Sequence, residues 1–186
     1  MNPVADLAAV LDSAGDLIAG IARWDKPTPC PEWTVRELVN HLVLGHRLFT
    51  DVLRGAPGGS LDPKSEDVLG ADPAAAYRRA AAKLLAEFGK PGVLAGQYTV
   101  PAGSVPGAAA ARLLGTEHLV HGWDLAVATG QKPAFDDTVV ARHIEFSQAK
   151  IADLPPGRRP FAPPVPVAGD ASPLDRLAAL LGRSPN

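Results

Sequence analysis

The sequence lacks most of what would mark a secreted, nucleic-acid-binding or membrane protein. It has a single cysteine, Cys30, so no internal disulfide can form and no thiolate-only zinc site can be built. It has no surplus of positive charge. Its 18 Lys and Arg stand against 20 Asp and Glu, for a net charge of −2, which argues against nucleic acid as a main partner. No apolar run approaches the roughly 18 residues of a membrane span. The opening stretch MNPVADLAAVLDSAGDLIAG has no basic start and carries Asp6, Asp12 and Asp16, unlike a secretory leader. A soluble cytoplasmic protein with no membrane partner is the expectation. Aromatic residues make up only 5% of the chain and β-branched runs are scarce, which leaves little from which to build a sheet.

Alanine, the strongest helix former, is plentiful. With 18 Gly and 19 Pro as punctuation, the composition predicts helices separated by proline- and glycine-rich loops. The length fits one domain over residues 1–186. Six helical segments can be read. The first runs from about Pro3 to Arg23, with Leu7, Val10, Leu11, Leu17, Ile18 and Ile21 at helical spacing. After the proline-rich WDKPTPCPEW, Thr34-Val35-Arg36-Glu37 has the form of a capping box and opens a helix reaching about Arg54. Asp72-Pro73, an N-cap followed by proline at the first helical position, opens a third. Residues Gly89 to Gly103 read as irregular, with at most a short extended piece at Gln97–Val100. A fourth helix is expected from near Ser104–Pro106 to Gly130, and a fifth from Asp136 or Asp137 to about Leu154. The stretch Pro155 to Pro166 reads as an extended strap, and a short last helix follows Ser172. The fold class is all-α: a bundle of about four long helices with short additional C-terminal helices and the proline-rich strap.

Helix four carries the most informative pattern. At about 100° per residue, Ala110, Leu114, Glu117, His121, Asp124 and Ala128 share one face. Three ionisable groups thus sit in the middle of a stripe with apolar ends, where a buried charge needs a compensating partner. Glu117 and His121 are four apart and can converge on one point, as two metal ligands on one helix turn would. A lone Glu-x-x-x-His also fits a surface helix whose polar edge meets water, but the apolar ends of the stripe weigh against that. Further ligands would come from His41 or His46 on helix two, between which periodicity does not choose, or from His143 on helix five. His143, among Arg142 and Glu145, reads as a solvated side chain, and His118 as the edge of a helix packing. Cys30 and Trp123 read as packing residues, Trp33 as a staple at the start of helix two, and Arg78 and Arg79 as solvated. Asp124, one turn past His121, is the candidate catalytic residue: it could orient an imidazole or take a proton. An internal salt bridge is the alternative.

Three segments together carry a family resemblance. They are T-P-C-P-E-W-T-V-R-E-L-V-N-H (Thr28 to His41), T-E-H-L-V-H-G-W-D-L-A-V-A-T-G (Thr116 to Gly130), and the F-A-P-P-V-P-V…S-P-L-D-R-L-A-A-L-L-G-R ending (Phe161 to Arg183). The chain resembles the DinB/YfiT-like superfamily, and within it the mycothiol-dependent maleylpyruvate isomerase type and its uncharacterised actinobacterial metal-binding relatives. That resemblance implies a DinB-like four-helix bundle holding a divalent ion, zinc foremost or nickel, and places the ligands on His41, Glu117 and His121. The isomerase's extra C-terminal domain is not expected in this chain. Three protein ligands and an open position make a catalytic rather than a structural zinc site. The function implied is a mycothiol-type S-transferase or isomerase acting on a small electrophile, with mycothiol as co-substrate. A non-catalytic metal-binding or sensor bundle and a metal-dependent hydrolase are the alternatives. The partners expected are therefore a small-molecule thiol and an electrophile, with a homodimer left open.

Overall fold

The computed structural model of the protein describes residues 2–31, 33–101, 103–152 and 161–185. In chain order the elements are α1 (Pro3–Ala19), α2 (Val35–Leu53), α3 (Pro73–Phe88), β1 (Gln97–Val100), β2 (Gly103–Pro106), α4 (Gly107–Thr129), α5 (Asp137–Ala152) and α6 (Pro173–Leu180). Local chemistry starts most of the helices. Asn2 caps α1 through its side chain, with Pro3 at the first helical position. The capping box of α2 is present in both directions, between Thr34 and Glu37. Asp72 and Ser172, each followed by proline, cap α3 and α6. Gly130, in the left-handed conformation that glycine tolerates best, ends α4.

The first four helices neighbour one another in a ring: α1 packs on α3 and α4, and α2 packs on α3 and α4. Their apolar faces form the main core, with Leu7, Leu11, Ile18, Leu38, Leu42, Tyr77, Leu84, Phe88, Leu114 and Leu125 among its members. A second cluster joins Leu119, Val120 and Trp123 of α4 to Val139 and Val140 of α5 and to Leu174, Leu177 and Leu181 at α6. No described helix is long and apolar enough to cross a membrane.

Several sequence expectations need correction. Gln97–Val100 is the first strand of a small antiparallel hairpin, with Tyr98 opposite Val105. Its partner uses Gly103–Pro106, so α4 begins only at Gly107. The first helix stops at Ala19, with Gly20 as its cap, rather than reaching Arg23. Leu154 and the first half of the expected strap, Pro155 to Pro160, lie outside the described residues. The remainder of the strap, residues 161–166, is without helix or strand and touches α6 through the Val165 amide, which donates to the Ala179 carbonyl at 3.0 Å.

His143 is not solvated. It is buried, with Nδ1 3.0 Å from the Thr116 hydroxyl, and its ring lies where a side chain on Gly115 would otherwise be. Burial pushes its imidazole down to about 4. The cause is the position of α4, which is flanked by α1, α2, α5, α6 and the hairpin. From His118 to Ala126 every α4 residue is buried. A single-stripe reading of this helix therefore misjudges the polar residues on its other faces, His118 included.

Candidate metal centre

The site lies where α2 and α4 face each other. The capping box sets the start of α2, and with it the phase that turns His41 toward α4. His41 Nε2 lies 3.1 Å from Glu117 Oε1, and His121 Nε2 lies 3.2 Å from the same oxygen. The three ligand atoms all fall within 4.8 Å of one another. Both imidazoles are buried, whereas the Glu117 side chain remains 34% exposed, so the carboxylate is the side of the cluster that meets solvent.

The outer partners decide what the two rings can do. His41 Nδ1 lies 2.8 Å from the Leu61 main-chain oxygen. A carbonyl only accepts, so this nitrogen carries the hydrogen. His121 Nδ1 lies 3.0 Å from Asp124 Oδ2, which by the same reasoning accepts from it. Each ring therefore has its Nε2 left over, aimed at a carboxylate oxygen. Three electron-pair donors converging on one point need positive charge between them, either as added protons or as a cation. Separations of 3.1 and 3.2 Å are close to the edge of about 3.3 Å of a tetrahedron with zinc–ligand bonds of about 2.0–2.1 Å. The donor set of two imidazoles and a carboxylate, each ring held from behind, fits a zinc- or nickel-type divalent ion.

Without an ion, protons supply the charge. Burial would lower the His121 imidazole, but its hydrogen bonds to Asp124 and Glu117 outweigh that and push it up to about 9. Burial would likewise raise the Glu117 carboxyl, yet hydrogen bonds from His121 and His41 hold it well below the usual carboxylate range.

Asp124 is fully buried. Its Oδ2 takes the His121 hydrogen bond and Arg183 Nη2 at 2.9 Å, and its Oδ1 takes Arg183 Nε at 3.2 Å. Asp124 thus faces the His121 ring and pairs with Arg183 at the same time. Arg183, just beyond α6, was not singled out from the sequence, because its partner lies 59 positions away. The Leu61 carbonyl is a main-chain atom and carries no residue signature at all.

Trp33 does more than staple the helix. Its ring centroid lies 4.6 Å from that of His41 and 6.1 Å from that of His121, so the indole covers one side of the pair. Cys30, read as a packing residue, sits close to His121 and Asp124. Burial and the Asp124 carboxylate push its thiol up, with Arg183 opposing them. Trp123 packs in the second core, and its Nε1 donates to Asp175 at 2.8 Å. Arg78 is exposed and pairs with Asp16 at 2.6 Å. His46, the other helix-two candidate, lies in a separate cluster with its Nε2 2.8 Å from His118 Nε2.

Comparison with known proteins bears on this geometry. The family profile described as "Mycothiol maleylpyruvate isomerase N-terminal domain" matches residues 4–126. Two uncharacterized proteins, from two strains of Mycobacterium tuberculosis, are each 34% identical to this chain over 189 residues, covering 99% of it and 99% of each relative. Among solved structures, the mycothiol-dependent maleylpyruvate isomerase matches with a TM-score of 0.60, over 76% of this chain and 68% of that one, at 15% identity. A mutant form of that isomerase matches with a TM-score of 0.60 over 80% and 68%, at 11% identity. The mainly helical fold is shared with that isomerase.

Proposed function

The chain belongs to the mycothiol maleylpyruvate isomerase N-terminal domain family, and from that membership we propose a cytoplasmic, divalent-metal-dependent enzyme that uses a small-molecule thiol of the mycothiol type on a small electrophile, either attaching it as an S-transferase or adding and releasing it as an isomerase. The observation that carries this reading is the convergence of His41 Nε2, His121 Nε2 and Glu117 Oε1, with both rings fixed from behind. His41, Glu117 and His121 would hold the ion. Zinc or nickel bound there would lower the pKa of a coordinated thiol, making its thiolate available near neutral pH.

The remaining chemistry belongs to the chain. Two neutral imidazoles and one carboxylate cancel only one charge of a divalent ion, which leaves the site attractive to an incoming anion. Trp33 shields one side of the imidazole pair from water and leaves the Glu117 side as the approach. Asp124 keeps the proton of His121 on Nδ1. With its oxygens occupied by His121 and Arg183, it serves as a positioning residue rather than as an acceptor of substrate protons.

The test is a thermal-shift measurement with mycothiol on metal-free and zinc-loaded protein. A ligand anchored on the ion should raise Tm only in the loaded form, by mass action. Equal protection of both forms would show that the thiol binds elsewhere. No protection at saturating thiol, with zinc bound, would overturn the thiol-using reading in favour of a non-catalytic metal-binding bundle.

A further inference from the structure

The segment after α2 turns back along it and is fastened to it residue by residue. Arg36 Nη2 reaches Asp67 at 2.7 Å and the Gly70 carbonyl at 3.0 Å. Leu61 approaches the open side of Gly45. Between these contacts sits Asn40, a polar residue on a helix interior that is only 2% exposed. Its carboxamide is fully engaged with the returning segment. Nδ2 donates to the Pro63 carbonyl at 2.9 Å and to the Glu66 carbonyl at 2.6 Å, and Oδ1 accepts from the Val68 amide at 2.9 Å.

Asn40 precedes His41, and the segment it holds supplies the Leu61 carbonyl that His41 Nδ1 donates to. The Asn40 clip therefore fixes the position of the acceptor that holds a hydrogen on Nδ1 of His41. A buried carboxamide with three main-chain partners leaves little freedom for the 61–68 segment, because shifting it would strand several buried polar groups at once. We propose that Asn40 is a positioning residue of the metal centre. Through the 61–68 segment and the Leu61 carbonyl, it keeps His41 in the Nδ1–H tautomer, with the Nε2 lone pair presented to the ion.

This inference rests on the metal-centre reading above, and its test separates the two. Zinc affinity is measured by calorimetry for the full chain, for Asn40→Asp, for Asn40→Ala and for Arg36→Ala. Asn40→Asp keeps the size but replaces the NH2 group that donates to two carbonyls by an acceptor oxygen. Arg36→Ala loosens the same segment without touching the Asn40 clip. Loss of the support behind a ligating imidazole is expected to weaken zinc by roughly 10–100-fold in both Asn40 variants, with a much smaller change in Arg36→Ala. The second readout needs no metal. Imidazole nitrogen NMR of metal-free protein should show a hydrogen held on His41 Nδ1 in the unaltered chain and partial loss of that Nδ1–H signal in Asn40→Ala. Unchanged zinc affinity and an unchanged His41 Nδ1–H signal in folded Asn40 variants would overturn the proposal. If the unaltered chain takes up no zinc, the metal-centre reading falls, and the NMR spectra alone decide whether Asn40 positions His41.

Discussion

The helix pair α2 and α4 carries two histidine clusters that use the same residue types and behave in opposite ways. In one, His41 and His121 face an oxygen of Glu117 that is partly open to solvent, and each ring is held from behind by a carbonyl or carboxylate. In the other, His46 and His118 are 0% exposed and meet each other, Nε2 to Nε2 at 2.8 Å, with rings nearly coplanar at 3°. His118 Nδ1 donates to the Leu114 carbonyl. Its Nε2 is therefore the acceptor, His46 Nε2 is the donor, and His46 Nδ1 is left buried without a protein partner. No carboxylate touches this second pair among the described hydrogen bonds and ion pairs. The comparison teaches that facing histidines on two helices do not by themselves make a cation site. The added carboxylate, the outer partners and the opening to solvent make the difference.

Removing ligands should separate the two clusters most sharply. Metal analysis of protein purified without chelators should find about one divalent ion per chain. His41→Ala, Glu117→Ala and His121→Ala should each lose it, while His46→Ala keeps it. Full metal retention in the first three, with the variants folded, would remove the distinction between the clusters.

The converse experiment reads stability. His118→Ala removes a fully buried ring and leaves His46 without its acceptor, which should cost about 3 kcal/mol and lower Tm by about 6–12 °C. Replacing both residues with leucine should recover much of that loss, since no buried polar group is then stranded. A His118→Ala variant as stable as the unaltered chain would mean that the pair contributes nothing to the core.

A subtler contrast lies in pH. Burial pushes His118 down to about 4, outweighing the Leu114 carbonyl and Glu117, which raise it, and pushes His46 well below its ordinary value, with the neighbouring His118 acting in the same direction. For such groups the unfolded chain binds more protons. Their contribution is therefore full above about pH 6.5 and is lost as pH falls toward about 4. In metal-free protein His121 behaves in the opposite sense. Raised to about 9, it contributes fully below about pH 6.5, and that contribution is lost as pH rises through about 9. Denaturation of the metal-free chain across this range should show the acid slope flattened in the double leucine variant and the alkaline slope unaffected. An acid slope that persists unchanged would assign it to other groups, buried His143 among them.

Much of this was legible in the sequence because it is local. The Thr34–Glu37 capping box and the Asp72-Pro73 and Ser172-Pro173 starts are short-range signals, and helices form where they predict. The polar middle of the α4 stripe placed Glu117, His121 and Asp124 on one face, and the family resemblance put His41 opposite them. Where periodicity failed, it failed for one reason. It assumes that a helix has a wet side, and α4 between residues 118 and 126 has none. His118 was misplaced by that assumption, whereas His143 on α5 was misplaced by its charged sequence neighbours Arg142 and Glu145, which carry no sign of the Thr116 hydroxyl it meets. The hairpin was legible only as an extended fragment, since Gln97–Val100 is too short to signal its partner and the pairing with Gly103–Pro106 is a tertiary choice.

The sequence by itself determined the helical class, the main helix boundaries to within a few residues, and which α4 side chains share a face, because caps, prolines and the 3.6-residue period act within one or two turns. Tertiary structure alone decided which histidine nitrogen is free. That depends on the Leu61 carbonyl brought back along α2 and on Asp124 pinned by Arg183 from beyond α6; the Trp33 indole, too, is brought against the imidazoles only by the fold. These partners are a main-chain atom, a distant guanidinium and a loop indole. None is at a fixed spacing from the residue it orients, so only the folded chain brings them together.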